Sequence, residues 1–206
     1  MSDSDLQMEA PLRALYLITS PVSARFLRGQ LAFMRRHGVR CVVGTGAGDG
    51  EFDDGVESFD VGFSREIRLV RDLMSLAKTV RLIRRLRPDI VNASTPKAGL
   101  VGTLAAAACR VERRVYVVRG LRYETARGTR RRVLAGLERL TMRLAHVVVF
   151  NSPSLLERAR ADGVCRPSTG IVLGAGSGNG IDTRRFSQLV PGDEARRRLG
   201  LENVAG

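Results

Sequence analysis

Two arginines and a tyrosine set close together are suited to holding a phosphate or a sugar hydroxyl. The segment Arg119-Gly120-Leu121-Arg122-Tyr123 puts them directly after the apolar run VYVV. A guanidinium meets phosphate with two parallel N–H donors, which lysine cannot do. A second candidate is Thr95-Pro96-Lys97, between an apolar run and a stretch of small residues. If that stretch is a helix, its first backbone N–H groups and its dipole favour an anion, and Lys97 adds a point charge. The same residues also describe an ordinary helix start with a surface lysine. His37 and His146 are the only histidines, so no Ser/His/Asp relay and no metal set can be assembled. No metal and no cofactor are expected. The glycines at 44, 46, 48 and 50, and those at 174, 176, 178 and 180, lack the GxGxxG spacing of a dinucleotide loop. Asp3-Ser4-Asp5 matches a bare DxD pattern but lies in a polar leader, where chance is the better account.

The elements that must carry these residues alternate. Apolar strand-like runs fall at 12–19, 40–44, 56–61, 89–93, 114–118, 147–150 and 171–173. Helix-period segments fall between them at 24–37, 67–86, 98–109 and 128–145, and from Ser152 to about 162. In the second helix Val70, Leu73, Ala77 and Val80 form the expected packing face. Ser152 reads as a cap with Pro153 in the first turn. Glu138 stands in an apolar and basic helix and reads as one half of an ion pair with a nearby arginine. Strands alternating with helices specify a doubly wound parallel sheet, an α/β Rossmann-like fold. In such a sheet the loops at 20–23, 95–97, 119–123 and 152–154 gather on one rim, where ligands bind.

The chain has 206 residues and a formal net charge of +13, and Lys78 and Lys97 are its only lysines. That bias toward arginine suits phosphate-bearing partners. It also runs along the whole chain, as a purely compositional bias would. Arginines cluster at 68, 71, 81, 84, 85 and 87 and again at 130, 131, 132, 139 and 143. Such clusters are either solvated faces or a surface for anionic lipid, at about 1 kcal/mol per charge. Aromatics make up 5% of the residues and tryptophan is absent, so base stacking has few platforms and nucleic acid is not an expected partner. Cys41, Cys109 and Cys165 lie far apart in apolar surroundings and read as reduced core residues. From the polar start and the short apolar runs, a cytoplasmic chain is expected, at most peripheral to the inner face of the plasma membrane.

Four landmarks in order resemble the N-terminal domain of family-four glycosyltransferases of the GT-B type. They are Ser94-Thr95-Pro96-Lys97-Ala98-Gly99; Val117-Val118-Arg119-Gly120-Leu121-Arg122; Leu137-Glu138-Arg139-Leu140 with the strand to Asn151-Ser152; and Asn179-Gly180-Ile181-Asp182 with Phe186. The similarity spans about 12–202 and is strongest to enzymes of bacterial surface polysaccharides and lipid-linked oligosaccharides. It implies a retaining enzyme that moves a sugar from a nucleotide-sugar donor to a glycan or polyprenyl-diphosphate acceptor. Thr95, Lys97, Arg119, Gly120, Arg122 and Tyr123 would then meet the acceptor or a phosphate. Ser20 and Ser23 would lie in the loop nearest the donor, where relatives have a Gly-rich turn. Gly180 and Asp182 would shape the turn toward an interdomain cleft. Arg119 stands where many relatives have a histidine near the transferred sugar.

The expected organisation is a leader at 1–11, one Rossmann-like domain at 12–190, and a linker at 191–206 toward a second, donor-binding domain that this sequence does not include. The isolated chain is expected to be inactive. A stand-alone basic α/β binding module, or a transferase remnant, is the alternative.

Overall fold

A computed structural model describes residues 11–48, 52, 56–64, 66, 68–177, 183 and 192–200. Seven strands form one fully parallel sheet: β1 (Arg13–Leu17), β2 (Arg40–Thr45), β3 (Glu57–Asp60), β4 (Ile90–Ser94), β5 (Arg113–Val118), β6 (Val147–Phe150) and β7 (Gly170–Val172). Their order is β3-β2-β1-β4-β5-β6-β7. The chain winds outward from β1 to β3, returns to β4 beside β1, and winds outward again. The reversal between β1 and β4 is the switch point at which doubly wound sheets open a crevice at their carboxyl ends. Register is continuous across it: Leu17 pairs with Gly44 on one side and Ala93 on the other. The expected α/β sheet is therefore present.

Alternation along β1 divides the core. Leu15 and Leu17 point to one face and join Val42, Val91, Ala93 and Ala105. Ala14, Tyr16 and Ile18 point to the other and join Leu27, Leu31 and Val43. Tyr116, Val118, Met142, Phe150 and Leu156 form a third cluster around β5 and β6. Burying each large apolar side chain stabilises the fold by about 1.5–3 kcal/mol.

The helices are α1 (Gln30–Arg36), α2 (Leu69–Leu86), α3 (Pro96–Ala108), α4 (Gly128–Leu144), α5 (Pro153–Ala161) and α6 (Gly192–Arg198). The single helix expected over 24–37 is instead a 3-10 turn (Pro21–Phe26) followed by α1. Gly29 between them is left-handed at φ 74°, where glycine meets no Cβ penalty. Ser152 caps α5 as expected, its Oγ accepting from the Leu155 N–H at 3.2 Å.

The packing face of α2 differs from the expected one. Its buried residues are Ser75, Thr79, Leu82 and Ile83, while Val70, Leu73 and Ala77 are exposed and Val80 is half-buried. Two hydroxyls can turn inward because each finds a backbone carbonyl. Ser75 donates to Gly62 and Thr79 to Ser75, both at 2.7 Å. This rotation leaves Leu69, Val70, Leu73 and Met74 in water, between 57% and 78% exposed.

Candidate functional site

The loops after β1 and β4 meet at the switch point. Thr19 and Thr95 bring their hydroxyl oxygens to 2.5 Å, and the Thr19 N–H donates to Thr95 Oγ1 at 3.2 Å. Thr19 Oγ1 also accepts from the Ala98 N–H at 3.3 Å, so it caps α3 from the loop after β1. Thr95 holds φ 77° and ψ 147°, a conformation costly for a residue with a branched Cβ. Thr19 was not among the sequence candidates, because its role depends on a partner 76 residues away.

Lys97 is not a free surface charge. Its side chain is 8% exposed, and Nζ pairs with Asp72 Oδ1 at 2.7 Å while also donating to the Glu66 carbonyl. It fastens the first turn of α3 to the first turn of α2. Its charge is matched inside the fold, and any anion at this helix start would have to compete with Asp72.

The loop after β5 alternates. Leu121, Tyr123 and Ala126 face the core, while Gly120, Arg122, Glu124 and Thr125 face water. Tyr123 is 1% exposed and packs in the third core cluster beneath the Arg131 guanidinium, 5.7 Å from its ring. Burial first, and the neighbouring carboxylate of Asp162 second, hold its phenol well above the ordinary range. Its ring shapes the loop from inside. Arg119 bends the other way: its guanidinium lies 4.4 Å over the Phe26 ring and donates to the Phe26 carbonyl at 3.4 Å. Arg119 thereby ties the end of β5 to the turn after β1, and burial lowers its pKa. Arg122 is exposed and has no ion pair among the described residues. Gly120 has open space where a Cβ would stand.

Behind Arg122, a cavity of about 100 Å³ opens between α3 and α4, lined by Leu100, Val101, Leu134, Leu137 and Glu138 with Lys97 and Asp72 at one wall. Among the described residues, Glu138 forms no ion pair with an arginine, contrary to expectation. Its carboxylate, 6% exposed, instead accepts from the Tyr116 hydroxyl at 2.7 Å. The neighbouring Arg139 donates to the Gly163 carbonyl. Burial pushes the Glu138 carboxyl up to about 7, against the opposing pull of the Tyr116 hydrogen bond and of Arg122.

Ser20 opens the 3-10 turn and is half-buried, and Ser23 is buried within it. The loop after β7 folds over the end of β6: Gly176 lies against the Asn151 carbonyl, which accepts from the Ser177 N–H at 2.5 Å. Gly180 and Asp182 lie outside the described residues. The structure thus brings Ser20, Thr95, Arg119, Gly120 and Arg122 to one rim, turns Tyr123 inward and commits Lys97 to Asp72.

Residues 23–175 match the family described as "Glycosyl transferase 4-like domain". The chain belongs to the glycosyl transferase 4-like family. It is 35% identical over 176 residues to the capsular polysaccharide biosynthesis glycosyltransferase CapM of Staphylococcus aureus, covering 84% of this chain and 46% of that protein. It is 29% identical over 157 residues to the UDP-Gal:alpha-D-GlcNAc-diphosphoundecaprenol alpha-1,3-galactosyltransferase of Escherichia coli, covering 73% and 38%. The chain therefore spans less than half the length of these two curated relatives. Among solved structures, Anabaena HepE in complex with UDP and glucose superposes with a TM-score of 0.66 at 24% identity, over 93% of this chain and 51% of that one. The glycosyl transferase 4-like match covers Thr95, Arg119, Gly120 and Arg122 and leaves out Thr19 and Ser20. The resemblance expected from the four landmarks is borne out at the level of family and fold.

Proposed function

We propose that this chain forms the acceptor-side lobe of a retaining hexosyltransferase acting at a membrane surface. The donor is a nucleotide-activated sugar, and the acceptor is a glycan carried on a polyprenyl diphosphate. The observation that carries this reading is the exposed quartet Leu69, Val70, Leu73 and Met74 in the first two turns of α2, flanked by the exposed Arg68 and Arg71. These turns start at the carboxyl rim, as the Lys97–Asp72 pair requires, so apolar surface and positive charge stand at the same end as Arg119 and Arg122. Apolar side chains beside arginines fit the boundary of an anionic bilayer. An acceptor presented there would meet the rim.

In this reading Arg122 binds an acceptor phosphate, and Arg119, held against Phe26, presents a preset guanidinium at the floor of the cleft. Bare backbone at Gly120 admits the sugar. Ser20 lies nearest the donor, Thr95 lines the switch point, and Gly180 and Asp182 belong to the turn facing a second lobe. The nucleotide is held by that second lobe. No metal or cofactor takes part. The named acceptor of the Escherichia coli relative, a sugar on diphosphoundecaprenol, supports the lipid-linked class.

The test is flotation of the 206-residue chain with phosphatidylcholine vesicles, with and without phosphatidylglycerol and a polyprenyl-diphosphate-linked N-acetylhexosamine. Binding to the anionic vesicles that strengthens with the acceptor, and is lost in Leu73→Glu/Met74→Glu, is expected. Equal recovery with neutral vesicles, or no effect of the double variant, refutes the membrane assignment. Sugar transfer by this chain alone would overturn the division of labour.

A further inference from the structure

A cavity of about 770 Å³ lies at the other end of the sheet, where the amino ends of β1, β4 and β5 meet the last turns of α2 and α3. Arg13, Arg84, Arg87 and Arg110 surround it. We infer that this cavity is a second, rim-independent site for a small polyanion of the phosphate class, a diphosphate or triphosphate group.

Charge is the first argument. Arg13 is partnered by Asp89 at 3.7 Å and by the Leu86 carbonyl at 3.3 Å. Glu112, the other acid of the wall, pairs with Arg113 at 3.3 Å. Arg84, Arg87 and Arg110 have no ion pair among the described residues. Two helices end here, and their carbonyl ends offset about half a charge each. Three unmatched guanidiniums exceed that, so the cavity keeps a net positive field.

Backbone conformation is the second argument. Just past their ends α1, α5 and α6 place Gly38, Gly163 and Gly200, each with positive φ. The two helices that line the cavity place arginine there instead: Arg87 at φ 47° and Arg110 at φ 54°. Left-handed backbone costs an L-residue about 1 kcal/mol more than glycine. The chain bears that cost twice, and both times the side chain gained is a guanidinium on the cavity. Ile83, Pro88 and Val111 form an apolar floor. The concave shape and the volume suit a small molecule.

The site lies at the amino edge of the strands, so its occupant is neither the donor nor the acceptor at the carboxyl rim.

The experiment is calorimetric titration of the full 206-residue chain with inorganic pyrophosphate at physiological ionic strength, for wild type and for Arg87→Gly/Arg110→Gly. Glycine is the residue this backbone favours, so the variant keeps or raises its melting temperature and separates lost ligand groups from lost fold. Binding by wild type, weakened at least about tenfold in the variant as expected for lost charge-assisted bonds, supports the site. Arg130→Gln/Arg132→Gln on α4 should bind as wild type does. The inference is overturned if wild type binds no pyrophosphate, if the glycine variant binds equally well, or if the α4 variant loses as much. It is also overturned if the glycine variant loses only binding to phosphatidylglycerol vesicles, which would make this end a lipid-facing surface.

Discussion

The Tyr116 hydroxyl donates to Glu138 Oε1 at 2.7 Å, joining the middle of β5 to the middle of α4 inside the core. The carboxyl is raised from 4.5 to about 7, chiefly by burial. The folded state therefore holds this proton more tightly than the unfolded chain. The group's contribution to stability is complete below about pH 4.5 and is lost as the pH rises to about 7. The loss amounts to about 3 kcal/mol at most. Glu138→Gln keeps an acceptor for Tyr116 and cannot ionise. Urea unfolding at pH 5, 6, 7 and 8 should give a wild-type curve that falls relative to the variant's across this window. Parallel curves would show that Glu138 titrates normally.

Lys97 and Asp72 form a pair largely shielded from water. Removing one partner leaves the other charge stranded, so Lys97→Met or Asp72→Asn should each destabilise the fold by about 2–4 kcal/mol. The double variant should cost less than the two singles together, by about 1–3 kcal/mol. Additive losses in a denaturation cycle would mean that the pair is formed but not coupled.

Thr95 combines a left-handed φ with a hydroxyl that meets Thr19. Both Thr95→Gly and Thr95→Ala lose the hydroxyl, but only glycine escapes the backbone strain. The glycine variant should be the more stable of the two by about 1 kcal/mol, reversing the usual order. Thermal melts of the pair decide it, and an alanine variant that matches or exceeds glycine would show the loop relaxing out of this conformation.

Two glycines near the rim should respond in opposite ways to alanine. A methyl at Gly99 would collide with the Tyr116 ring, while one at Gly120 meets open space. Gly99→Ala should cost about 1–3 kcal/mol through overpacking. Gly120→Ala should leave the melting temperature within a degree or two and weaken acceptor binding, read as reduced acceptor-dependent flotation. Equal destabilisation of both would place Gly120 among the structural glycines.

The sequence disclosed what local chemistry controls. Ser152 before Pro153 announces α5, and the alternation of apolar runs with helix-period segments announces the sheet. Phase around a helix was harder. The apolar positions of α2 have the right period, yet Ser75 and Thr79 take the inner side because their hydroxyls return to the backbone. A polar residue so satisfied looks like a surface residue until its acceptor is known. Lys97 looks available in the sequence because its partner lies 25 residues away, on another helix. Tyr123 resembles a ligand group in the sequence because Arg119 and Arg122 flank it, although Leu121, Tyr123 and Ala126 together form the inward side of that loop. Thr19 offered no local signal at all. The order of the four landmarks carried the family, since order survives substitutions that obscure individual contacts.

Helix α3 is built almost wholly from small residues, and most of its length is buried. Gly99 lies against Tyr116, Gly102 brings Leu17 within 2.6 Å of where a Cβ would stand, and α2 and α4 flank it. These two close approaches pin the element against β1 and β5. The Thr19–Thr95 junction at its head therefore inherits the stiffness of the core, although it sits in a loop. This rim is an anvil: it meets a ligand in a shape set beforehand by the packed residues beneath it.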